Sequence, residues 1–151
     1  MTKSVFFLLF AASLFFAVIA YAAEPPLPGP YSATVISVVD GDTVNVKVKI
    51  WLGLYQEVAV RIDGIDTPET RGAKCPSERE LGLKAKNLVE KLLPAGATIT
   101  LSQVGADKFH GRVVATVRTS NEEELGQRLL KEGLAVPYNG GTKKSWCSPE
   151  T

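Results

Sequence analysis

Acidic side chains gather where two predicted strands end. Asp40 and Asp42 follow the first strand within "DGDT", and Asp63, Asp66 and Glu69 follow the third within "RIDGIDTPET". Either group alone is typical of a polar turn, because Asp and Gly are common turn residues. If the fold brings the two strand ends together, Asp42 and Asp66 offer two hard carboxylates at one point. Together with a main-chain carbonyl and water, they would form the ligand set that Ca²⁺ prefers, here without an EF-hand loop.

An arginine accompanies the second acidic group. Arg61 alternates with the apolar Val60 and Ile62 in the third predicted strand, so its side chain projects toward the same strand edge. Its guanidinium has a planar fork of donors that suits a phosphate group. The alternative is a structural ion pair in which Arg61 neutralises Asp63 or Glu69.

A basic turn forms a second candidate for phosphate binding. The segment "DKFHGRVVATV" carries Lys108, Phe109 and His110 just before Arg112, which begins a strand. A lysine, an aromatic ring and an arginine suit a backbone phosphate and a stacked base. Basic turns are also common as solvated surface, so this segment indicates a substrate contact only in combination with the acidic groups.

Three strands of alternating polarity, rich in Val and Ile, must position the acidic groups. They are predicted over "YSATVISVV", "TVNVKVKIWL" and "EVAVRIDGI". The first two are linked by "DGD", where an Asp-Gly pair accepts the positive φ of a hairpin turn. The link between the second and third is predicted around "GLYQ".

Helices and further strands follow Pro68. The segment "SERELGLKAKNLVEKLL" has apolar residues at helical spacing, with Ser77 and Glu80 as a capping box. Two more strands are predicted over "TITLSQV" and "RVVATVRT", and a second helix over "EEELGQRLLKEGLA", closed by Gly133. The order predicts a mainly β fold with helices (α+β), a five-stranded OB-type Greek-key barrel with two to three helices.

The N-terminal segment predicts export. Lys3 precedes an apolar run from Val5 to about Ala20, and the small residues Ala20 and Ala22 predict cleavage after Ala22. An uncleaved membrane anchor is the alternative, because the run approaches the ~18 residues that a spanning helix needs. Residues 23–30 are a proline-rich leader, which is expected to be extended. The domain is predicted over residues 31–151, in the periplasm or outside the cell.

Composition limits how nucleic acid could be bound. The chain has 45% apolar and 22% charged residues, with 17 basic and 16 acidic side chains. Loss of Lys3 with the signal makes the two charge counts equal. A neutral domain does not hold nucleic acid through bulk charge, so phosphate recognition must come from a few placed side chains.

The two cysteines, Cys75 and Cys147, predict a disulfide. An exported protein meets an oxidising compartment, in which an even pair is most simply bonded. The bond would close a loop of ~73 residues, for which the chain-entropy model gives roughly 4 kcal/mol of stabilisation. A zinc site from Cys75, Cys147 and His110 is an alternative on ligand type, but it lacks the close spacing of zinc motifs.

The motifs "DGDTV", "RIDGIDTPET" and "DKFHGRVVA", in this order, resemble those of the thermonuclease family, the staphylococcal nuclease-like domains. The resemblance covers about Tyr31 to Tyr138. It implies an OB barrel and a Ca²⁺-dependent hydrolase that cleaves DNA and RNA with little sequence preference. It also implies that Asp42, Asp66 and the Thr67 carbonyl hold the metal and that Asp40 supports them.

The same resemblance implies the roles of the remaining site residues. Glu69 would orient or deprotonate the attacking water, while Arg61 and Arg112 would bind the phosphate. Asp63 has no counterpart among these roles and is expected to be structural. Negative charge grows on the phosphate oxygens during in-line attack, and a metal ion with two arginines can offset it.

The sequence departs from the family pattern at three places. The stretch "KVKIWLGLYQEVAV" between the second and third strands is long. The "DKFHGR" turn has one extra residue, which leaves open whether Phe109 or His110 stacks on a base. Tyr138, a candidate substrate contact, lies one position away from the family's tyrosines.

Two other function classes are compatible with the barrel. One is a non-catalytic OB module that binds nucleic acid, although none of the expected acidic residues is missing here. The other is an exported domain that binds an oligosaccharide or a protein, which the neutral charge favours slightly. A nuclease of this type is expected to act as a monomer on DNA and RNA, without a stable protein partner or a membrane contact after signal cleavage.

Overall fold

A closed five-stranded barrel with two α-helices forms the molecule. The computed structural model describes residues 24 to 147. Its elements are, in chain order, β1 (Tyr31–Val38), β2 (Thr43–Trp51), β3 (Leu54–Ile62), β4 (Ile65–Asp66), α1 (Pro76–Leu92), β5 (Thr98–Ala106), β6 (Arg112–Arg118), α2 (Leu125–Lys131) and β7 (Val136–Pro137). The predicted α+β class and OB-type barrel are confirmed.

The strand order around the barrel is β1-β2-β3-β6-β5, and β5 closes it by pairing with β1. All neighbours are antiparallel except β3 and β6, which run parallel with Ala59 opposite Arg112 and Arg61 opposite Val114. The parallel pair brings the two candidate phosphate-binding strands side by side. Both arginines therefore belong to one ladder.

The barrel interior is aliphatic. Alternate residues of the strands point inward, as a period of two requires, and Val44, Val46 and Val60 have no exposed surface. Leu125 and Leu129 of α2 are equally buried, as are Ala85 and Val89 of α1. Burying a side chain of the size of Val or Leu contributes about 1.5–3 kcal/mol, so this core contributes strongly to the stability of the barrel.

The structure corrects four local predictions: the β2–β3 turn, the cap of α1, the length of α2 and the backbone of Gly41. The hairpin turn between β2 and β3 lies at residues 52–53 rather than around "GLYQ", because Trp51 and Leu54 already pair across it. The predicted capping box at Ser77 and Glu80 is wrong. Helix α1 begins at Pro76 with Cys75 as its N-cap, and no side chain donates or accepts a capping hydrogen bond there.

Helix α2 is shorter than predicted at both ends. Glu122 has φ 61° and Thr119 donates its N–H to the Glu123 carbonyl at 2.9 Å, so residues 119–123 form a turn. The helix therefore starts only at Leu125. It ends at Lys131, two residues before Gly133, whose φ of 68° lies in the left-handed region that terminates helices.

The turn between β1 and β2 requires a glycine at position 41 because there is no room for a side chain there, and not because the backbone has a positive φ. A Cβ on Gly41 would lie 2.7 Å from the Cβ of Ala85 and 2.9 Å from Oγ1 of Thr67. The turn is closed by the Val39 N–H, which donates to the Thr43 carbonyl at 2.9 Å. The expectation of a positive φ at this position is wrong, and its glycine instead lets the turn press against α1 and the segment after β4.

A second glycine brings α1 against the loop that follows β4. A Cβ on Gly82 would lie 2.7 Å from the Glu69 carbonyl oxygen and 2.8 Å from that of Pro68. Glu78, which is buried, accepts hydrogen bonds from the N–H of Lys74 at 2.7 Å and of Glu69 at 3.5 Å. The helix thus fixes the backbone on which Glu69 is carried.

The C-terminal segment is attached to the same region. β7 pairs with β4, the Tyr138 N–H donates to the Gly64 carbonyl at 2.8 Å, and Cys147 is bonded to Cys75. The predicted disulfide is confirmed, with Cα atoms 6.0 Å apart. Residues 138–147 therefore lie beside the strand ends that carry the acidic groups.

The N-terminal leader follows the barrel surface. Leu27 and Val104 exchange two backbone hydrogen bonds, each of 2.8 Å. The predicted signal at residues 1–22 lies outside the described part of the chain. Within residues 24–147, no helix has the length and apolar character that crossing a membrane requires.

Candidate active site

One cleft of about 720 Å³ lies at the end of the barrel where β1, β3 and β6 present their polar residues. The sequence-predicted residues that line it are Asp40, Asp42, Arg61, Glu69, Lys108, Phe109, Arg112 and Tyr138. Asp66 and Thr67 lie just beneath this surface and are 1% and 3% exposed. His110 is exposed in the turn before β6 and is not part of the lining. The fold thus gathers segments that are distant in sequence.

Arg61 joins the two aspartates that were predicted to hold a metal. Its Nη1 donates to Oδ2 of Asp42, while its Nη2 lies 3.4 Å from Oδ1 of Asp66 and 3.0 Å from the Ile65 carbonyl oxygen. The alternative pairing of Arg61 with Asp63 or Glu69 is not among these contacts. Burial by itself lowers the pKa of Arg61, but Asp42 and Asp66 outweigh burial and raise the pKa.

Asp42 and Asp66 offer hard oxygen donors in a protected position. Both side chains are nearly buried, and Oδ1 of Asp42 also accepts a hydrogen bond from Oγ1 of Thr43 at 2.8 Å. Both carboxylates contact the Arg61 guanidinium, Asp42 through Nη1 and Asp66 through Nη2, so they lie on the same side of the cleft. This donor set fits a hard divalent ion such as Ca²⁺.

Asp40 supports this pair from the preceding turn. Its Oδ1 accepts the backbone N–H of Asp42 at 3.2 Å. Burial, followed by repulsion from Asp42, raises the pKa of Asp40 to about 6. Burial disfavours the ionised form of Asp40 most, and the neighbouring Asp42 carboxylate adds to this effect.

Glu69 stands at the mouth of the cleft. Its side chain is 43% exposed, and its backbone is held by Glu78 and by the close approach of Gly82. The carboxylate is therefore solvent-accessible while its main chain is fixed. That combination suits a group that must exchange protons with water.

The turn before β6 forms the opposite wall. Nε of Arg112 lies 2.8 Å from Oδ2 of Asp107, and its guanidinium carbon lies 4.7 Å from the centre of the Phe109 ring. Lys108 Nζ lies 5.3 Å from the same ring. Burial raises the pKa of Asp107, but the hydrogen bonds from Arg112 and the Phe109 N–H outweigh it and lower the pKa. Phe109, rather than His110, faces the cleft.

Tyr138 completes the lining near Arg61. The centre of its ring lies 5.9 Å from the Arg61 guanidinium carbon, and its hydroxyl donates to the Gly141 carbonyl at 2.9 Å. The shift of one position in sequence is therefore compatible with a place in the cleft. Its position follows from the pairing of β7 with β4.

Lys143 is an active-site neighbour that the sequence analysis missed. Its Nζ lies 2.9 Å from Oδ1 of Asp66 and 2.8 Å from Oε1 of Glu69. Burial by itself lowers the pKa of Lys143, but its hydrogen bonds to Glu69 and Asp66 outweigh burial and raise the pKa. The only sequence signal for this contact is indirect, because the disulfide to Cys75 brings residues near 143 to within reach of Glu69.

Trp146 adds a second contact from the same segment. Its indole Nε1 donates to Oδ2 of Asp66 at 3.5 Å. Together with Lys143 it covers the Asp66 carboxylate from the solvent side. The position of the C-terminal segment thus determines how open this carboxylate is.

The zinc alternative is not supported. Cys75 and Cys147 lie near Glu78, but their sulfurs are joined to each other, so neither is available as a thiolate ligand. His110 lies in the turn before β6, apart from this cluster. The cysteines are structural.

Comparison with known families identifies the family to which the chain belongs. Residues 59–147 match the model of the family described as staphylococcal nuclease homologue. The chain belongs to this family. The match begins in β3 and ends at Cys147, so it includes Arg61, Asp66, Glu69 and Arg112. The resemblance read from the motifs is confirmed, and the chain is a member of a nuclease family.

Two curated relatives extend the comparison. Endonuclease YhcR of Bacillus subtilis is 30% identical over 122 residues, which cover 77% of this chain and 10% of the relative. An uncharacterized protein of Methanocaldococcus jannaschii is 32% identical over 130 residues, covering 72% of this chain and 59% of the relative. The chain therefore spans only part of both relatives.

Proposed function

We propose that the protein is an exported Ca²⁺-dependent nuclease that hydrolyses phosphodiester bonds of DNA and RNA with little sequence preference. The observation that carries this proposal is the convergence of two buried aspartates, a glutamate and two arginines on one cleft. The family membership and a relative named as an endonuclease support it.

The chain divides the work between its carboxylates and its guanidinium groups. Asp42, Asp66 and the Thr67 carbonyl would hold the metal, with Asp40 behind them. When bound, Ca²⁺ supplies positive charge against the negative charge that develops on the phosphate. The residue types fit this role because all proposed donors are hard oxygens.

Glu69 and the arginines act on the water and the phosphate. The Glu69 carboxylate accepts a proton from the attacking water. The water oxygen forms the new P–O bond as the P–O bond on the opposite side breaks, and the leaving oxygen takes a proton from solvent. Arg61 and Arg112 donate hydrogen bonds to the non-bridging oxygens. General-base help is typically worth about 10²–10⁴-fold, and fixed donors stabilise charge where it grows.

The substrate is expected to cross the cleft between the two arginines. Phe109 and Tyr138 offer ring faces for bases, and Lys108 offers a cation for a neighbouring phosphate. Stacking tolerates any base because every base has a π face. This explains a low sequence preference without contacts to base edges.

The deciding experiment follows cleavage of end-labelled DNA and RNA by the purified protein. We expect cleavage with Ca²⁺ and none after chelation, and the length distribution of products separates endonuclease from exonuclease action. Equal cleavage with and without chelator would overturn the metal dependence. Binding of single-stranded DNA without cleavage under any condition would instead identify a non-catalytic OB module.

Export and oligomeric state are part of the proposal. The disulfide supports an oxidising compartment, and the apolar segment before Ala22 supplies the signal. We expect the secreted or periplasmic protein to begin at Ala23 and to sediment as a monomer. N-terminal sequencing of the exported protein checks the cleavage site.

A further inference from the structure

A lysine of the C-terminal segment bridges a proposed metal ligand and the proposed general base. Lys143 Nζ lies between Oδ1 of Asp66 at 2.9 Å and Oε1 of Glu69 at 2.8 Å. The Asp66 side chain is 1% exposed, whereas that of Lys143 is 43% exposed. The ammonium group therefore covers the carboxylate from the side on which an ion would enter.

The charges around the cleft show what this lysine balances. Six carboxylates and four cations line the cleft or lie just beneath it, namely Asp40, Asp42, Asp63, Asp66, Glu69 and Asp107 with Arg61, Lys108, Arg112 and Lys143. The excess of negative charge equals the charge of one divalent ion. Without Lys143 the excess of negative charge would be larger. The positive charge of Lys143 therefore weakens the electrostatic attraction of the carboxylates for a divalent ion.

Arg61 also contacts Asp66, but it is held in other ways. It donates to the Ile65 carbonyl at 3.0 Å and to Asp42, and it belongs to a barrel strand. The ion pairs of Lys143 in the described chain are those with Asp66 and Glu69. Lys143 lies in an irregular segment, and two consecutive glycines, Gly140 and Gly141, come shortly before it in the chain. Of the two cations that contact Asp66, Lys143 is therefore the one that can move away from the carboxylate.

We infer that Lys143 is a built-in counter-ion of the metal site and sets its affinity by competing with the divalent ion for Asp66. This inference rests on the proposed metal-dependent function. An entering ion would have to displace the ammonium group from Asp66, and the disulfide at Cys147 keeps the displaced lysine close to the cleft. The site would thus bind metal more weakly than its carboxylates alone would allow.

The test measures Ca²⁺ binding by calorimetry, without nucleic acid, in the wild type, Lys143→Gln and Lys144→Gln. Lys144 is an exposed neighbour with no ion pair within residues 24–147. We expect Lys143→Gln to bind Ca²⁺ at least about tenfold more tightly, and Lys144→Gln to match the wild type.

A thermal measurement supplies a readout that does not depend on catalysis. With chelator, Lys143→Gln should melt below the wild type, because Asp66 loses its nearest counter-charge. With saturating Ca²⁺, its gain in melting temperature should exceed that of the wild type, since tighter binding to the folded state stabilises more.

The outcomes separate this inference from the proposed function. Equal Ca²⁺ affinity in all three proteins would overturn the competition and leave the metal site in place. Weaker binding by Lys143→Gln would also overturn it, because it would make the lysine a supporting residue. No Ca²⁺ binding by any of the three would overturn both the inference and the proposed metal dependence.

Discussion

At the scale of single residues, the carboxylates differ in exposure more than in type. Asp42 and Asp66 are nearly buried around Arg61, whereas Glu69 is open to solvent. The same functional group is thus placed in one environment that suits an ion and in another that suits a reacting water. The division of roles follows from position rather than from residue identity.

The first prediction concerns Glu69. Replacing Glu69 with Gln keeps its size but removes the group that accepts a proton, so kcat should fall by about 10²–10⁴-fold. Binding of uncleaved single-stranded DNA, measured by fluorescence anisotropy, should be little changed. Glu90→Gln, on the exposed side of α1, is the matched control and should retain full activity. An unchanged kcat in Glu69→Gln would remove Glu69 from the mechanism.

The second prediction concerns Asp40 and pH. Because its pKa is raised to about 6 from an ordinary value of 3.8, the folded metal-free protein holds this proton more tightly than the unfolded chain. Protonated Asp40 therefore adds to the free energy of unfolding. This addition is complete below the ordinary pKa of 3.8 and is lost as pH rises through about 6. Asp40→Asn should remove this part of the pH dependence.

Urea unfolding with chelator, from about pH 4 to about pH 7, measures the effect. The stability of Asp40→Asn relative to the wild type should increase with pH across this window. Asp63→Asn serves as the control, since Asp63 is exposed. Within the described chain, its carboxylate accepts a hydrogen bond only from the N–H of the next residue, Gly64. A constant difference between Asp40→Asn and the wild type at every pH would contradict the raised pKa.

Most residues of the candidate site could be predicted from the sequence because they sit in short motifs at strand ends. Lys143 could not, because its contact with Glu69 spans 74 positions and depends on the disulfide and the β4–β7 pairing. Gly41 was predicted as a turn residue for the wrong reason. The close contact with Ala85 that requires a glycine belongs to the tertiary structure and leaves no local pattern.

At the scale of elements, helix α1 supports the loop between β4 and α1, which carries Glu69. Gly82 lies against the carbonyl groups of Pro68 and Glu69, and Glu78 accepts N–H groups from both ends of the loop. The position of Glu69 is thus set by a helix that begins seven residues later in the chain. A substitution in α1 at the contact with this loop should therefore alter the position of Glu69.

The third prediction tests this support. Gly82→Ala adds a methyl group 2.7 Å from the Glu69 carbonyl oxygen, and overpacking of this kind costs about 1–3 kcal/mol. We expect both a lower free energy of unfolding and a lower kcat. Gly72→Ala, in the loop that carries Glu69, is the control, since a Cβ there meets nothing within 4 Å. Similar losses in both variants would contradict a specific role of α1.

The elements themselves were predicted well where their pattern is long and regular. The five barrel strands and α1 follow from alternation and helical spacing, and the errors lie at ends and turns. The hairpin turn lies at residues 52–53, where Gly53 has a left-handed φ of 75° and Trp51 pairs with Leu54, so the predicted turn is displaced only slightly. The two-residue strands β4 and β7 are too short to carry a pattern, although they fix Asp66.

At the scale of the whole molecule, the disulfide joins the start of α1 to the end of the described chain. It fixes the segment that supplies Tyr138, Lys143 and Trp146 to the cleft. Stability and site geometry are therefore linked through one covalent bond. The family match to residues 59–147 also ends at this cysteine.

The fourth prediction concerns this bond. The double variant Cys75→Ser, Cys147→Ser should lose roughly 4 kcal/mol of unfolding free energy, because the bond closes a long loop in the unfolded chain. Urea unfolding of the oxidised wild type, the reduced wild type and the double variant measures the loss. Reductant should lower the stability of the wild type and leave the double variant unchanged. A reduced wild type as stable as the oxidised one would contradict a stabilising role.

The parallel ladder between β3 and β6 also has an evolutionary consequence. The distance between Arg61 and Arg112 is set by the pairing of Ala59 with Arg112, and not by the length of the chain between them. The turn at residues 108–111 can gain or lose a residue while Asp107 and Arg112 keep their contact. Insertions there would therefore change the residues beside Arg112 without changing its register with Arg61.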